Sequence, residues 1–250
     1  MHQRGFVLVD KPAKARRNRR STVKVLFIVT SADLGYWLAE LTRPYWHLTE
    51  RGHEITLASP KGGKVKHDRL SNPLSEGSWE ANDIVSKGFL SDKTLAELLD
   101  TTKSLDEINP TDFDAVHVVG GTGAAVDLYP NDRVAAILEH FWAADKIVGA
   151  ICHGTIALAN NPDRVNGRNA TGFSLDEDLA AEKLYGKNFI PNYPQPILEK
   201  AGVKFSHVEQ WGVRVVTDGK LITGQNQQSA SEYSLTFNHL LAEQSPVVAF

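Results

Sequence analysis

From residue 23 to about residue 242, short apolar runs rich in β-branched residues alternate with stretches of helical length, without a Pro/Gly/Ser-rich linker. That alternation constrains the fold more than any other feature, because continuously apolar strands must be covered on both faces. Strands are predicted over 23–30 (VKVLFIVT), 54–59 (EITLAS), 115–119 (AVHVV) and 146–151 (KIVGAI), and a hairpin over 213–217 and 221–223 turned by Asp218-Gly219. Helices are predicted over 36–51, ending at Gly52, and over 92–100 with Ser91 as a cap, 132–144, 194–201 and 229–242. Residues 64–90 read as polar and irregular. The expected architecture is a single α/β domain over 23–245, a doubly wound, mostly parallel sheet with helices on both faces. In such a sheet ligands bind beyond the carboxyl ends of the strands, so the loops after Thr30, Val119 and Ile151 should meet.

Composition narrows the function classes. The 250 residues carry a net charge of −3, which argues against a dedicated nucleic-acid binder. Residues 1–22 hold seven basic side chains against Asp10 alone, and read as a basic, disordered extension. No apolar run reaches the roughly 20 residues that cross a bilayer, so no membrane partner is expected. The single cysteine, Cys152, excludes an internal disulfide and fits a reducing, cytoplasmic compartment. The nine histidines show no HxH or HxxxH spacing, so no metal site is expected.

Cys152 lies in Ala150-Ile151-Cys152-His153-Gly154, at the junction of an apolar strand and an expected helix. Small residues two places either side of a nucleophile suit a strained strand-to-helix elbow. A helix N-terminus there would favour thiolate, and the His153 N–H would face an oxyanion. Gly120-Gly121-Thr122-Gly123 follows the preceding strand, where glycines let backbone N–H groups approach a ligand. The run is neither a phosphate loop nor a dinucleotide fingerprint, since no Lys-Ser/Thr follows and the third glycine position is Val126. Glu40, beside Tyr36 and Trp37 early in a helix, is either a solvated acid or a partly desolvated proton carrier for the thiol.

Taken in order, Gly-Tyr-Trp-Leu-Ala-Glu (35–40), Ala-Ser-Pro-Lys-Gly-Gly (58–63), Val-Val-Gly-Gly-Thr-Gly (118–123), Ala-Ile-Cys-His-Gly (150–154), Ala-Thr-Gly-Phe (170–173) and Leu-Ile-Thr-Gly-Gln-Asn (221–226) resemble the ThiJ/PfpI superfamily. The long segment before the Gly-Gly strand is similar to the chaperone-and-glyoxalase-III branch. The resemblance implies a flavodoxin-like fold, commonly dimeric, with Cys152 as nucleophile and Glu40 as its protonated partner. It also implies His153 and the Gly121 backbone as the rest of the site, with Gly120, Thr122 and Trp37 around the substrate. The implied activity is the cofactor-free conversion of methylglyoxal to lactate; deglycation and stress chaperoning are assigned to other relatives. One position departs from the branch: Thr122 stands where an imidazole is usual.

Two other classes stay open at this level. A glutamine amidotransferase would pair Cys152 with a His-x-Glu, and His207-Val208-Glu209 has that form. A holdase or redox sensor would use Cys152 by oxidation. A third triad member is also open: Asp176, Glu177 and Asp178 follow the Thr-Gly-Phe segment, as catalytic acids or as helix caps.

Overall fold

The computed structural model describes residues 22–244; residues 1–21 of the basic extension lie outside them. Nine strands are described: β1 Lys24–Ile28, β2 Glu54–Ser59, β3 Lys103–Ser104, β4 Ala115–Val118, β5 Ile147–Ile151, β6 Asn169–Ala170, β7 Lys204–Phe205, β8 Val215–Asp218 and β9 Leu221–Gly224. Seven form one sheet in the order β3-β2-β1-β4-β5-β9-β8, parallel except for β8 against β9. The short β6–β7 pair stands apart. Apolar burial explains the central order. All five residues of β5 and all four of β4 are buried, as are Val25–Ile28 of β1, so these strands take the middle of a sheet covered on both faces.

Two apolar clusters, one on each face, enclose the sheet. Leu26, Ile28, Val116, Val118 and Val148 pack with Leu138 and Phe141 of helix Asp132–Ala143. Val25, Phe27, Val29 and Ile151 pack with Leu38 and Leu41 of helix Leu38–Thr49, and with Tyr233 and Phe237 of helix Ala230–Gln244. This is the doubly wound sheet expected from the alternation. Among the described residues no helix is long and apolar enough to cross a membrane.

The differences from the sequence reading are local. Residues 84–91 are helical, capped by Asp83, whose carboxylate accepts from the N–H groups of Val85 and Ser86. Ser91 ends that helix rather than opening the next; Asp92 caps the following helix, Lys93–Glu97. Helix Leu175–Tyr185 was not expected, although Ser174 and Glu177 form a reciprocal capping box at its start. The segment after Cys152 is a nine-residue 3₁₀ helix, Cys152–Asn160, and not an α-helix.

Register brings the site together. Ile28 pairs with Val118, Val118 with Ala150, and Ile151 with Gly224, so β1, β4, β5 and β9 end at one level. The chain leaves β1 for β2 on one side and reaches β4 on the other, and the diverging connections open a crevice at the carboxyl edge.

Candidate active site

Cys152 occupies that edge with φ +56°, left-handed backbone that a non-glycine residue adopts at a cost of about 1–3 kcal/mol. Burial of the whole 3₁₀ segment from Cys152 to Ala159 holds it there. The elbow read from Ala150-Ile151-Cys152-His153-Gly154 is therefore formed. The N–H groups of Gly121 and His153 both point at the cysteine sulfur, where an oxyanion would develop.

The glycine run approaches from β4. Gly121 has φ +99°, and a Cβ there would run into the backbone of Tyr36 and Trp37. A Cβ on Gly120 would overlap Glu40 Oε2 and the Cβ of Cys152. Only glycine lets the Glu40 carboxyl and the thiol close on the same stretch of backbone. The Trp37 N–H donates to the Gly120 carbonyl at 3.2 Å, tying the start of helix Leu38–Thr49 to the loop.

Glu40 is wholly buried, and neither carboxyl oxygen has a well-formed hydrogen bond. Burial pushes its pKa up to about 8, opposed by its contact with the Cys152 thiol. It is a neutral acid at pH 7 and not a solvated surface group. Its backbone is fixed by an arrangement no motif announced. Pro44 has no N–H to return to the Glu40 carbonyl four residues earlier. His117, buried in β4, supplies the missing bond: Nε2–H donates to the Glu40 carbonyl at 3.0 Å, and Nδ1 accepts from the Tyr233 hydroxyl at 2.8 Å. Burial lowers the His117 pKa to about 4, so the ring is neutral.

A second acid lies beyond His153. His153 Nδ1 is 3.5 Å from the cysteine sulfur, and Nε2–H donates to Asp178 Oδ1 at 2.8 Å. Of the three candidate acids, Asp176 is exposed, and Glu177 closes the capping box and accepts the Trp211 N–H at 2.9 Å. Asp178, fully buried, completes a Cys152–His153–Asp178 chain. Glu177 thus takes the capping place, and Asp178 is the acid that reaches His153. Phe173 lies against the His153 ring with centroids 4.3 Å apart.

One expectation is reversed. The thiol is not drawn down by a helix N-terminus: burial pushes Cys152 well up and a charged Glu40 would push it further, while the Gly121 and His153 N–H groups only partly oppose this. Sγ is buried beside a second acid, and desolvation outweighs the backbone dipoles.

Cys152, His153, Gly121, Thr122 and Trp37 line one chamber of about 30 Å³, with Phe173, Trp79 and Trp211 at its side and mouth. Trp79 and Trp211 carried no local signal, because they come from loops that only the fold places over Cys152. His207 and Glu209 do not join this site: both are exposed, and His207 Nδ1 sits 3.0 Å from the Val208 carbonyl.

The sequence model of the DJ-1/PfpI family matches residues 23–239. The chain belongs to the DJ-1/PfpI family. Glyoxalase 3 of Candida albicans is 29% identical to this DJ-1/PfpI chain, the match covering 83% of the chain and 94% of that protein. A Bos taurus glutamine amidotransferase-like class 1 domain-containing protein is 34% identical, over 73% of the chain and 78% of its own length. Among solved structures, Rapid Encystment Protein 24 kDa of Francisella tularensis matches with TM-score 0.78 and 30% identity, covering 88% of this chain and 99% of its own. Glyoxalase III of Candida albicans matches with TM-score 0.72 and 25% identity, over 87% and 97%.

Proposed function

We propose that the protein is a cofactor-independent cysteine enzyme that converts small 2-oxoaldehydes, methylglyoxal foremost, to 2-hydroxy acids. The observation that carries this reading is the neutral, wholly buried Glu40 carboxyl closing with Cys152 on Gly120. A buried acid beside the thiol, its pKa pushed up to about 8, is poised to give and take a proton at a carbon held on the sulfur. The names of the similar Candida albicans proteins support the same class.

The steps follow from the donors and acceptors in place. The thiol gives its proton to His153 Nδ1, the free acceptor of a ring whose Nε2–H is held by Asp178. Sulfur adds to the aldehyde carbon, and Glu40 protonates the resulting oxygen near the Gly121 and His153 N–H groups. The Glu40 carboxylate then takes the hydrogen from the former aldehyde carbon, and protonated His153 supplies a proton to the keto oxygen, giving an enediol. Glu40 returns its proton to the neighbouring carbon while the hydroxyl on the sulfur-bearing carbon loses its proton to His153. A thioester of the 2-hydroxy acid results. Water, deprotonated by Glu40, hydrolyses it, and the leaving sulfur regains its proton from His153. The aldehyde carbon is oxidised and the ketone reduced within one molecule, so no outside oxidant or reductant is needed. A cytoplasmic homodimer acting without cofactor goes with this reading, from the family resemblance and the lone cysteine.

Purified protein given methylglyoxal without glutathione is expected to form lactate, and Cys152→Ala to form none. Absence of lactate from the wild-type protein, or undiminished lactate from Cys152→Ala, overturns the reading. The amidotransferase alternative gains nothing from His207 and Glu209, which lie on the exterior.

A further inference from the structure

A second cavity of about 480 Å³ adjoins the chamber at Cys152, and the two share Trp79, Trp211 and Gln227 as walls. Their sizes differ sharply. About 30 Å³ holds roughly two water-sized groups, enough for the two reacting carbons of a 2-oxoaldehyde and little else. A larger substituent on those carbons has its room in the adjoining cavity, whose remaining wall is Ala180, Lys183, Leu184 and Gln228.

Rings pave the way between the two. His153 lies against Phe173, Phe173 faces Trp211 at 5.9 Å between centroids, and Trp211 meets Trp79 edge-on at 6.0 Å. Trp79 is 46% exposed and Leu184 64%, so two large apolar side chains of the outer cavity face solvent together. Trp211 is held with φ +64°, an outlying conformation for a bulky residue. Buried Glu177 maintains it, accepting the Trp211 N–H at 2.9 Å while itself fixed by Asn226 Nδ2 at 2.7 Å. Backbone strain upheld by a buried polar network clusters where a ligand is clamped.

We infer that the outer cavity is a subsite for an aromatic substituent, so that the site accepts aryl-substituted 2-oxoaldehydes, the ring seated between Trp79 and Trp211. The inference rests on the 2-oxoaldehyde reading above and names the substrate class of that same site. The chemistry is unchanged: an aryl glyoxal plus water gives the aryl 2-hydroxy acid, the aldehyde carbon oxidised and the ketone carbon reduced. Offset or edge-on ring contacts add to the apolar area an aryl group buries, so two tryptophans favour an aryl over a methyl substituent by about tenfold or more.

The test separates binding from turnover. Mandelate and lactate, the products from phenylglyoxal and methylglyoxal, are titrated into Cys152→Ala protein by saturation-transfer NMR, with and without Trp79→Ala. Mandelate is expected to bind at least about tenfold more tightly than lactate, and Trp79→Ala to remove most of that preference. In the otherwise wild-type protein, Trp79→Ala should lower kcat/KM for phenylglyoxal more than for methylglyoxal. Equal binding of the two acids, binding of neither, or a preference that survives Trp79→Ala overturns the subsite. So does a Trp79 shielded from acrylamide quenching by self-association at working protein concentration, since the cavity would then be an interface between copies. Failure of the function itself reads differently: mandelate would still bind selectively while neither aldehyde was turned over.

Discussion

Two fully buried carboxyl groups flank Cys152, and they are held in opposite ways. Glu40 has no well-formed hydrogen bond and keeps its proton to about pH 8. Asp178 accepts a 2.8 Å bond from His153, an interaction that works against the upward push of burial on its own pKa. The same functional group in the same low-polarity interior thus becomes a mobile proton on one side of the sulfur. On the other side it becomes an anchor that fixes which imidazole nitrogen faces the thiol. What separates them is the partner: a carboxyl buried against weak donors stays neutral, and one buried against an imidazole N–H can bear charge.

The sharpest way to break the contrast is Glu40→Gln. The amide keeps the shape but cannot shuttle a proton, and loss of general acid–base help lowers kcat by about 10²–10⁴-fold. The pH profile adds an independent readout. The cycle starts from protonated Glu40, so wild-type kcat/KM should fall as pH rises through about 8, and residual Glu40→Gln activity should lack that limb. A wild-type profile flat across this range would return Glu40 to a structural role.

Asp178→Asn should cost less, because it disturbs only the orientation of His153. A loss of about 10–100-fold is expected, the range for groups that position a histidine, with the limb near pH 8 retained. If Asp178→Asn erased that limb, the division of labour between the two acids would be wrong.

The last prediction concerns stability rather than rate. The carboxyl of Glu40 binds its proton more tightly folded, at about 8, than at its ordinary value of 4.5. Between those values the folded state holds more protons than the unfolded one, so stability falls as pH rises, by up to about 1.4 kcal/mol per pH unit. Denaturant melts of wild-type protein at pH 5 and pH 8 should differ accordingly, and Glu40→Gln should remove most of the difference. An unchanged slope in the variant would mean that the burial penalty of Glu40 is met elsewhere.

Much of this protein was determined by its sequence alone. Apolar runs long enough for a strand and too apolar for a one-sided sheet can only be central parallel strands, and β1, β4 and β5 are that. The Cys152 elbow and the Gly120-Gly121 run were legible because each is a local backbone demand written in small residues. Helix Leu175–Tyr185 carried a legible capping box at Ser174 and Glu177, which the acids around it obscured. Tertiary structure decided what depends on partners distant in the chain. Whether Glu40 is solvated or buried turns on Gly120 and on the bond from His117, 77 residues away, which takes the place left by Pro44. Which of three consecutive acids reaches His153 depends on how helix Leu175–Tyr185 is seated, and the direction of the thiol shift depends on how deeply the sulfur is buried. Local geometry is encoded in neighbouring residues, whereas desolvation belongs to the whole packed interior; no window of sequence contains it.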